Sequence, residues 1–315
     1  MKKSSLWLPM DIVDYQEISD HELTELSLAC FGHTHSKERL ERMVKSDRRL
    51  PDRGGELYAV EGEKILGVVG LLYPKARTEE GIIDVGGIRN VCCRPSASRE
   101  GVAKRLMKEA HEILAKKVRY SFLMTSASNV AYGLYKKLGY EHIYVPPKAF
   151  KKTDEVDSDV RFKQEEDPEY VRSVYLDTVE NLRGLVIREK DFWNMAEARG
   201  WPRNENVRIA YKNGKRIGYA MFFPSRDRLS VKEIGAEKGF LPDILDGLES
   251  QTDKDHIVLS YVNANYEEKL KEKGYRWTQD LWSGVMAKDL RGENSDVAES
   301  LDTTERFHMG IYEAY

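Results

Sequence analysis

VCCRPSASREGVAKRLM, residues 91–107, is the stretch on which the reading of this chain turns. An apolar strand runs into a short polar turn, then a glycine, then an amphipathic helix. The first turn of a helix presents unpaired N–H groups and the positive end of the helix dipole, which suits a phosphate. Gly101 has no Cβ to keep a diphosphate off the backbone. Arg99 can add a charge-assisted contact. The same spacing fits a glycine that merely starts a helix, so the segment alone leaves both readings open.

Working outward, the first half alternates strands and helices. DIVDYQEI (11–18) reads as a strand. Ser19 or Asp20 can cap HELTELSLACF (21–31), a helix with Leu23, Leu26, Cys30 and Phe31 on one side. Ser36 caps a second helix over 36–47. ELYAVEG and KILGVVGLLY pair as a hairpin across Gly62–Glu63. Residues 82–94 read as one strand, in which Gly86–Gly87 suggests a bulge or a close backbone approach. Then come a long amphipathic helix (101–117), a buried strand (120–128) and a short helix (129–140) stopped by Gly139. Residues 146–165, with Pro146–Pro147 and a polar run, read as a linker.

Beyond that linker the pattern recurs. LYAVEGEKILG (57–67) aligns with RIAYKNGKRIG (208–218), and LYKKLGY (134–140) with KLKEKGY (269–275). Two anchors in the same order suggest a duplication. A length of 315 residues also favours about two domains. The 50 basic and 53 acidic residues nearly balance, which argues against a nucleic-acid binder. There is no apolar run of membrane-spanning length and no signal-peptide core. Three cysteines, Cys30, Cys92 and Cys93, give no disulfide framework and no zinc spacing, so a reducing cytoplasm and no metal are expected.

At this point the sequence resembles the GNAT superfamily of N-acetyltransferases. The family pattern Gln/Arg-x-x-Gly-x-Gly/Ala falls on Ser98-Arg99-Glu100-Gly101-Val102-Ala103, with Ser98 departing at the first position. A second pattern, Asn-x-x-Ala-x-x-Leu-Tyr-x-x-x-Gly-Phe/Tyr, falls on Ser128, Ala131, Leu134, Tyr135, Gly139 and Tyr140, with Asn129 one step late. The resemblance implies an α/β fold of mixed twisted sheets, and acetyl-CoA as cosubstrate. It implies that the backbone of Val91, Cys92 and Cys93 pairs with the pantetheine arm. The amides of Arg99, Glu100, Gly101, Val102, Ala103 and Lys104 would hold the diphosphate, with Ser128 and Asn129 nearby. Tyr135 would protonate the leaving thiolate.

The second copy keeps the hairpin and the Gly-Tyr helix end, but has no Arg-x-x-Gly loop, and Leu270 stands where Tyr135 does. It is therefore expected to be a degenerate GNAT domain. Tandem domains of this kind resemble the Eis (enhanced intracellular survival) group, whose members continue into a third domain; here only 291–315 follow. The expected division is 1–150, a catalytic domain; 151–290, a degenerate one; and 291–315, a tail. In Eis-like enzymes the terminal carboxylate helps deprotonate the amine, a role that would fall to Tyr315.

Other candidates for the acceptor side are His33 and His35, in the loop between the first helices, and Glu56 and Asp84 on strands. For each, an ordinary solvated side chain is the more common reading. Cys92–Cys93 reads as packing, since adjacent strand residues face opposite sides. The function expected is acetyl transfer from acetyl-CoA to a primary amine, on a polyamine- or aminoglycoside-like molecule or a protein lysine. The alternative is a non-catalytic acyl-CoA-binding or scaffold protein. No nucleic acid or membrane partner is expected, and a homo-oligomer is left open.

Overall fold

The computed structural model describes residues 10–51, 54–200, 206–280, 283–292, 297–301, 306–311 and 313. β1 (Asp11–Val13) is shorter than the expected strand. α1 (Asp20–Phe31) begins where the Ser19 hydroxyl accepts the Glu22 N–H, and stops at Gly32 with φ +70°. α2 (Lys37–Ser46) is capped by Ser36 in the same way. β2 (Glu56–Glu61) and β3 (Lys64–Leu72) form the expected hairpin. The single strand expected over 82–94 is two strands in different sheets. β4 (Lys75–Thr78) and β5 (Gly81–Asp84) make a hairpin, and β6 (Gly86–Cys93) starts afresh after Val85.

α3 (Val102–Ala115), β7 (Tyr120–Thr125), α4 (Tyr132–Lys137) and β8 (Glu141–Tyr144) follow. The supposed linker contains β9 (Pro147–Lys152) and β10 (Arg161–Lys163). Then come α5 (Pro168–Thr178), β11 (Arg183–Leu185), α6 (Phe192–Arg199), β12 (Val207–Lys212), β13 (Lys215–Phe223), β14 (Leu229–Ala236) and α7 (Leu241–Ser250). The last elements are β15 (His256–Ser260), α8 (Glu267–Glu272), β16 (Arg276–Gln279), β17 (Gly284–Asp289), α9 (Val297–Ser300) and β18 (Phe307–Met309).

Two seven-stranded sheets run β1-β2-β3-β6-β7-β17-β8 and β10-β12-β13-β14-β15-β9-β16. Each contains a strand from the other half of the chain. β17 lies antiparallel between β7 and β8, and β9 lies antiparallel between β15 and β16. The division expected at 150/151 therefore falls inside β9 and cuts across both sheets, and the one expected at 290/291 parts β18 from β11, its partner in a further sheet. A reading by chain order assigns a strand to its nearest neighbours, whereas a sheet assigns it to whichever edge bonds its N–H and C=O groups.

The duplication is visible in the ladders. Ala59 faces Gly67 and Ala210 faces Gly218, and in both hairpins the register shifts at the next residue. Gly139 and Gly274 close the matching helices at φ +87° and +80°. A third sheet, β18-β11-β4-β5, joins the halves. The expected polar tail thus supplies a buried strand, and Phe307 packs with Phe122 and Val285 of the first sheet. On that first sheet α3 buries Leu106, Met107, Ala110 and Leu114 against Ala59, Val69 and Ile88. On the opposite face α1 buries Leu23 and Leu26 against Tyr58, Val60 and Val68, the alternation that a pleated strand dictates.

Candidate active site

β6 and β7 run parallel and pair from Gly86↔Ser121 to Ile88↔Leu123, where the ladder ends. Beyond it β6 bulges. Val68 faces Cys92 and Gly70 faces Arg89, so Asn90 and Val91 together oppose Val69. Asn90 takes φ +52°, which Asn tolerates better than most L-residues. The bulge therefore lies at Asn90–Val91 and not at the glycine pair. Gly86 serves a close approach instead, since a Cβ there would come 2.8 Å from Leu114 Cδ1.

The turn after β6 carries two left-handed residues, Arg99 at φ +67° and Gly101 at φ +86°. Gly101 is the N-cap of α3 and offers no capping side chain. The Ala103 N–H meets the Cys93 thiol, and the other leading amides are given no capping side chain. Ser98, Arg99 and Glu100 are exposed, as is Lys104. This is the geometry of an anion cradle, with Arg99 and Lys104 supplying charge.

Tyr135, on α4, is buried in the same cluster as Val91 and Cys93. Burial, and then the neighbouring Cys93 thiol, push its phenol up to about 12. It stays protonated at working pH. Its ring meets Tyr140 edge-on at 6.2 Å, and the Tyr140 hydroxyl is fastened by Ser121 Oγ at 2.7 Å and His111 Nε2 at 3.0 Å. Ser128 Oγ shares a hydrogen bond with Ser126 Oγ, and Asn129 Oδ1 accepts the Ala131 N–H at 2.9 Å. Both shape the turn into α4. Cys92 packs on the α1 face and Cys93 on the α3 face. Burial pushes both thiols up, Cys93 to about 11, which makes them poor nucleophiles.

The α1 face behind the bulge holds a polar cluster. Glu56 is only 2% exposed, so it is not the solvated strand carboxylate that its residue type suggested. It accepts hydrogen bonds from the Tyr58 hydroxyl and, at 3.2 Å, from Asn90 Nδ2. Arg89 Nη2 lies 3.1 Å from Glu56 Oε1, an ion pair whose direction is wrong for a hydrogen bond. Burial works to raise the Glu56 pKa, but Arg89, His35 and the two hydrogen bonds together hold it below the usual range. His35 is kept neutral by burial, and its Nε2 has no hydrogen-bond partner. His33 is exposed and stacks on Phe31 at 5.8 Å.

Asp84 is exposed on β5, in the third sheet. It borders a groove of about 1080 Å³ that Glu56, Lys75, Arg105, Glu189 and Glu313 also touch. Tyr135, Cys93 and Gly101 do not line that groove, so it is separate from the opening beyond Ile88. Tyr315 lies outside the described residues. Sequence reading passed over Arg89, Asn90 and Tyr58. The available signal was an Arg-Asn pair inside an otherwise apolar strand.

In the second half the equivalent opening is filled. β14 and β15 pair up to Val231↔Leu259, and Ala236 faces Gly218 as Cys93 faces Gly67. There the Ala236 N–H donates to the Tyr266 hydroxyl at 3.0 Å. Tyr266 and Leu270 help to line a residual void of about 10 Å³.

Residues 14–143 match the family model described as an acetyltransferase (GNAT) domain. The chain carries a GNAT acetyltransferase domain. The GNAT fold recurs in solved structures that cover 89% of this chain. One is a protein from Enterococcus faecalis V583 described as a probable N-acyltransferase, at 19% identity, TM-score 0.67 and 72% of its own length. A GCN5-related N-acetyltransferase from Anabaena variabilis ATCC 29413 is similar at 15% identity, TM-score 0.66 and 73% of its length. Eis1 from Mycobacterium abscessus follows at 15%, 0.57 and 74%. At these identities the likeness is one of fold. No curated protein matches the sequence. Residues 14–143 thus form an acetyltransferase (GNAT) domain, and the hairpin of that domain recurs in the second half with the same register shift.

Proposed function

We propose that the protein moves acetyl from acetyl-CoA to a primary amine in the opening between β6 and β7. The observation that carries this reading is a conjunction at one sheet opening. A capless, left-handed loop sits at its mouth, a bulged strand at its wall and a protonated tyrosine beside that wall. When bound, acetyl-CoA supplies an activated thioester.

The chain's own part is to hold and polarise. Arg99 to Lys104 present amides and cations to a diphosphate. The bulge at Asn90–Val91 turns backbone out of the ladder, where an N–H can meet the carbonyl oxygen on which charge develops. Tyr135 gives a hydrogen bond to the departing sulfur. A phenol held at about 12 donates well but surrenders its proton only to a strong base. His35, neutral and with Nε2 unpartnered, is the group suited to take the amine's proton.

Calorimetry tests the cofactor loop. Acetyl-CoA should bind the wild type and not Gly101→Glu, in which a carboxylate meets the diphosphate. Thiol release with a panel of amines then tests transfer. Tyr135→Phe should cut kcat by about 10²-fold or more while leaving acetyl-CoA affinity intact. A folded wild type that fails to bind overturns the reading.

A further inference from the structure

The β6 bulge depends on a residue in the left-handed region that is not glycine. Asn90, at φ +52°, sits where the β6–β7 ladder has just ended, next to the backbone assigned above to the thioester carbonyl. An L-residue holds such a conformation only where the surroundings over-determine it. Here the tether is visible: Asn90 Nδ2 donates to Glu56 Oε1 at 3.2 Å. Glu56 is itself immobilised. It is 2% exposed, it accepts the Tyr58 hydroxyl through Oε2, and Arg89 Nη2 stands 3.1 Å from Oε1. Arg89 in turn lies across Gly70, the residue it faces on β3, where a Cβ would come 2.6 Å from Arg89 Cγ. Three strands thus meet at one carboxylate: β2 through Glu56 and Tyr58, β3 through Gly70, and β6 through Arg89 and Asn90.

We infer that Glu56 is a positioning residue, which holds Asn90 left-handed and so keeps the β6 bulge aimed into the opening. This rests on the acyl-transfer reading above. It gives Glu56 a role other than deprotonating the amine, because both of its oxygens are already engaged by donors from the protein. It also explains why a costly buried carboxylate stands behind the bulge.

Substitutions at Asn90 test this directly. Glycine adopts the left-handed region freely and needs no tether, whereas alanine has neither the tether nor the freedom, a difference of roughly tenfold in population. Asn90→Ala should therefore turn over about tenfold more slowly than Asn90→Gly, with KM for acetyl-CoA alike in the two. Glu56→Gln should lower kcat, and Glu56→Gln/Asn90→Gly should recover part of the loss. A carboxylate acting as base could not be rescued from position 90. Equal turnover of Asn90→Ala and Asn90→Gly overturns the inference, as does failure of the glycine to rescue. If Glu56→Gln does not fold, the comparison at position 90 still decides. A wild type that binds acetyl-CoA but acetylates no amine overturns the acyl-transfer reading instead, and the inference with it.

Discussion

Asp47 shows how one side chain ties the two halves together. It caps the C-terminus of α2, and its carboxylate accepts Arg49 Nε at 2.9 Å and Arg199 Nε, from α6, at 2.8 Å. Burial works to raise its pKa; Arg199 and Arg49 outweigh that and hold it at about 2. The partner does not gain. Burial first, then Arg89 and Arg49, bring Arg199 down to about 9 despite Asp47. Between pH 2 and pH 7 the carboxylate is therefore the member of the pair that titrates. Its folded pKa is depressed, so its stabilisation is present above the unfolded value near 4 and is lost as pH falls through about 2. A shift of this size corresponds to about 2 kcal/mol. Asp47→Asn should destabilise the chain by about 3 kcal/mol at pH 7, and the gap to wild type should narrow between pH 4 and pH 2. Urea titrations across that range measure it, and a gap that ignores pH contradicts the assignment.

At the scale of elements, the two openings contrast. In the first half β6 leaves β7 after Ile88, and Ala131 stands where Tyr266 does, eight residues before the matching glycine. In the second, Tyr266 puts a phenol against the Ala236 N–H and takes a further hydrogen bond with Thr178 at 3.3 Å. Tyr266→Phe leaves the Ala236 N–H without this partner and should cost about 1–3 kcal/mol. On the proposed reading acetyl-CoA binds in the first opening, so its KM should not move. Thermal unfolding and a KM measurement on the same variant test both halves of that statement. A raised KM would mean that the second half contributes to the cofactor site.

The whole molecule is held by exchange. β17 completes the first sheet and β9 the second, while the third sheet draws β4 and β5, β11 and β18 into one layer. Arg188, fully buried, bonds Glu233 on β14 and Glu313 near the end of the chain. Neither half has a complete sheet without the other. Cutting the chain in the segment between β9 and β10 should leave 1–156 aggregated or unfolded alone, since β7 and β8 then lack the strand between them. Co-expressed with 157–315 it should assemble into a complex that retains acetyl-CoA binding. Size-exclusion chromatography and circular dichroism of each fragment decide this, and a stable, folded 1–156 would contradict it.

Much of this was legible in the sequence because the physics is local. Ser19 and Ser36 cap helices by reaching three residues along the chain, and the Ala59–Gly67 spacing recurs at Ala210–Gly218 because both hairpins shift register at the same place. The loop at Arg99–Gly101 and the placement of Tyr135 followed from motif spacing on single elements. Only the tertiary structure decided which strand pairs with which. An edge offers the same N–H and C=O groups to any strand, and nothing in residues 147–152 or 284–289 marks them for exchange. Glu56 was undecided for the same reason. Its residue type suggests a solvated carboxylate, and what buries it arrives from β6, two strands along (Arg89 and Asn90), and from the next alternate position of its own strand (Tyr58). Local periodicity determined the elements; hydrogen bonding and burial between distant segments determined the sheets and the state of the charges at the site.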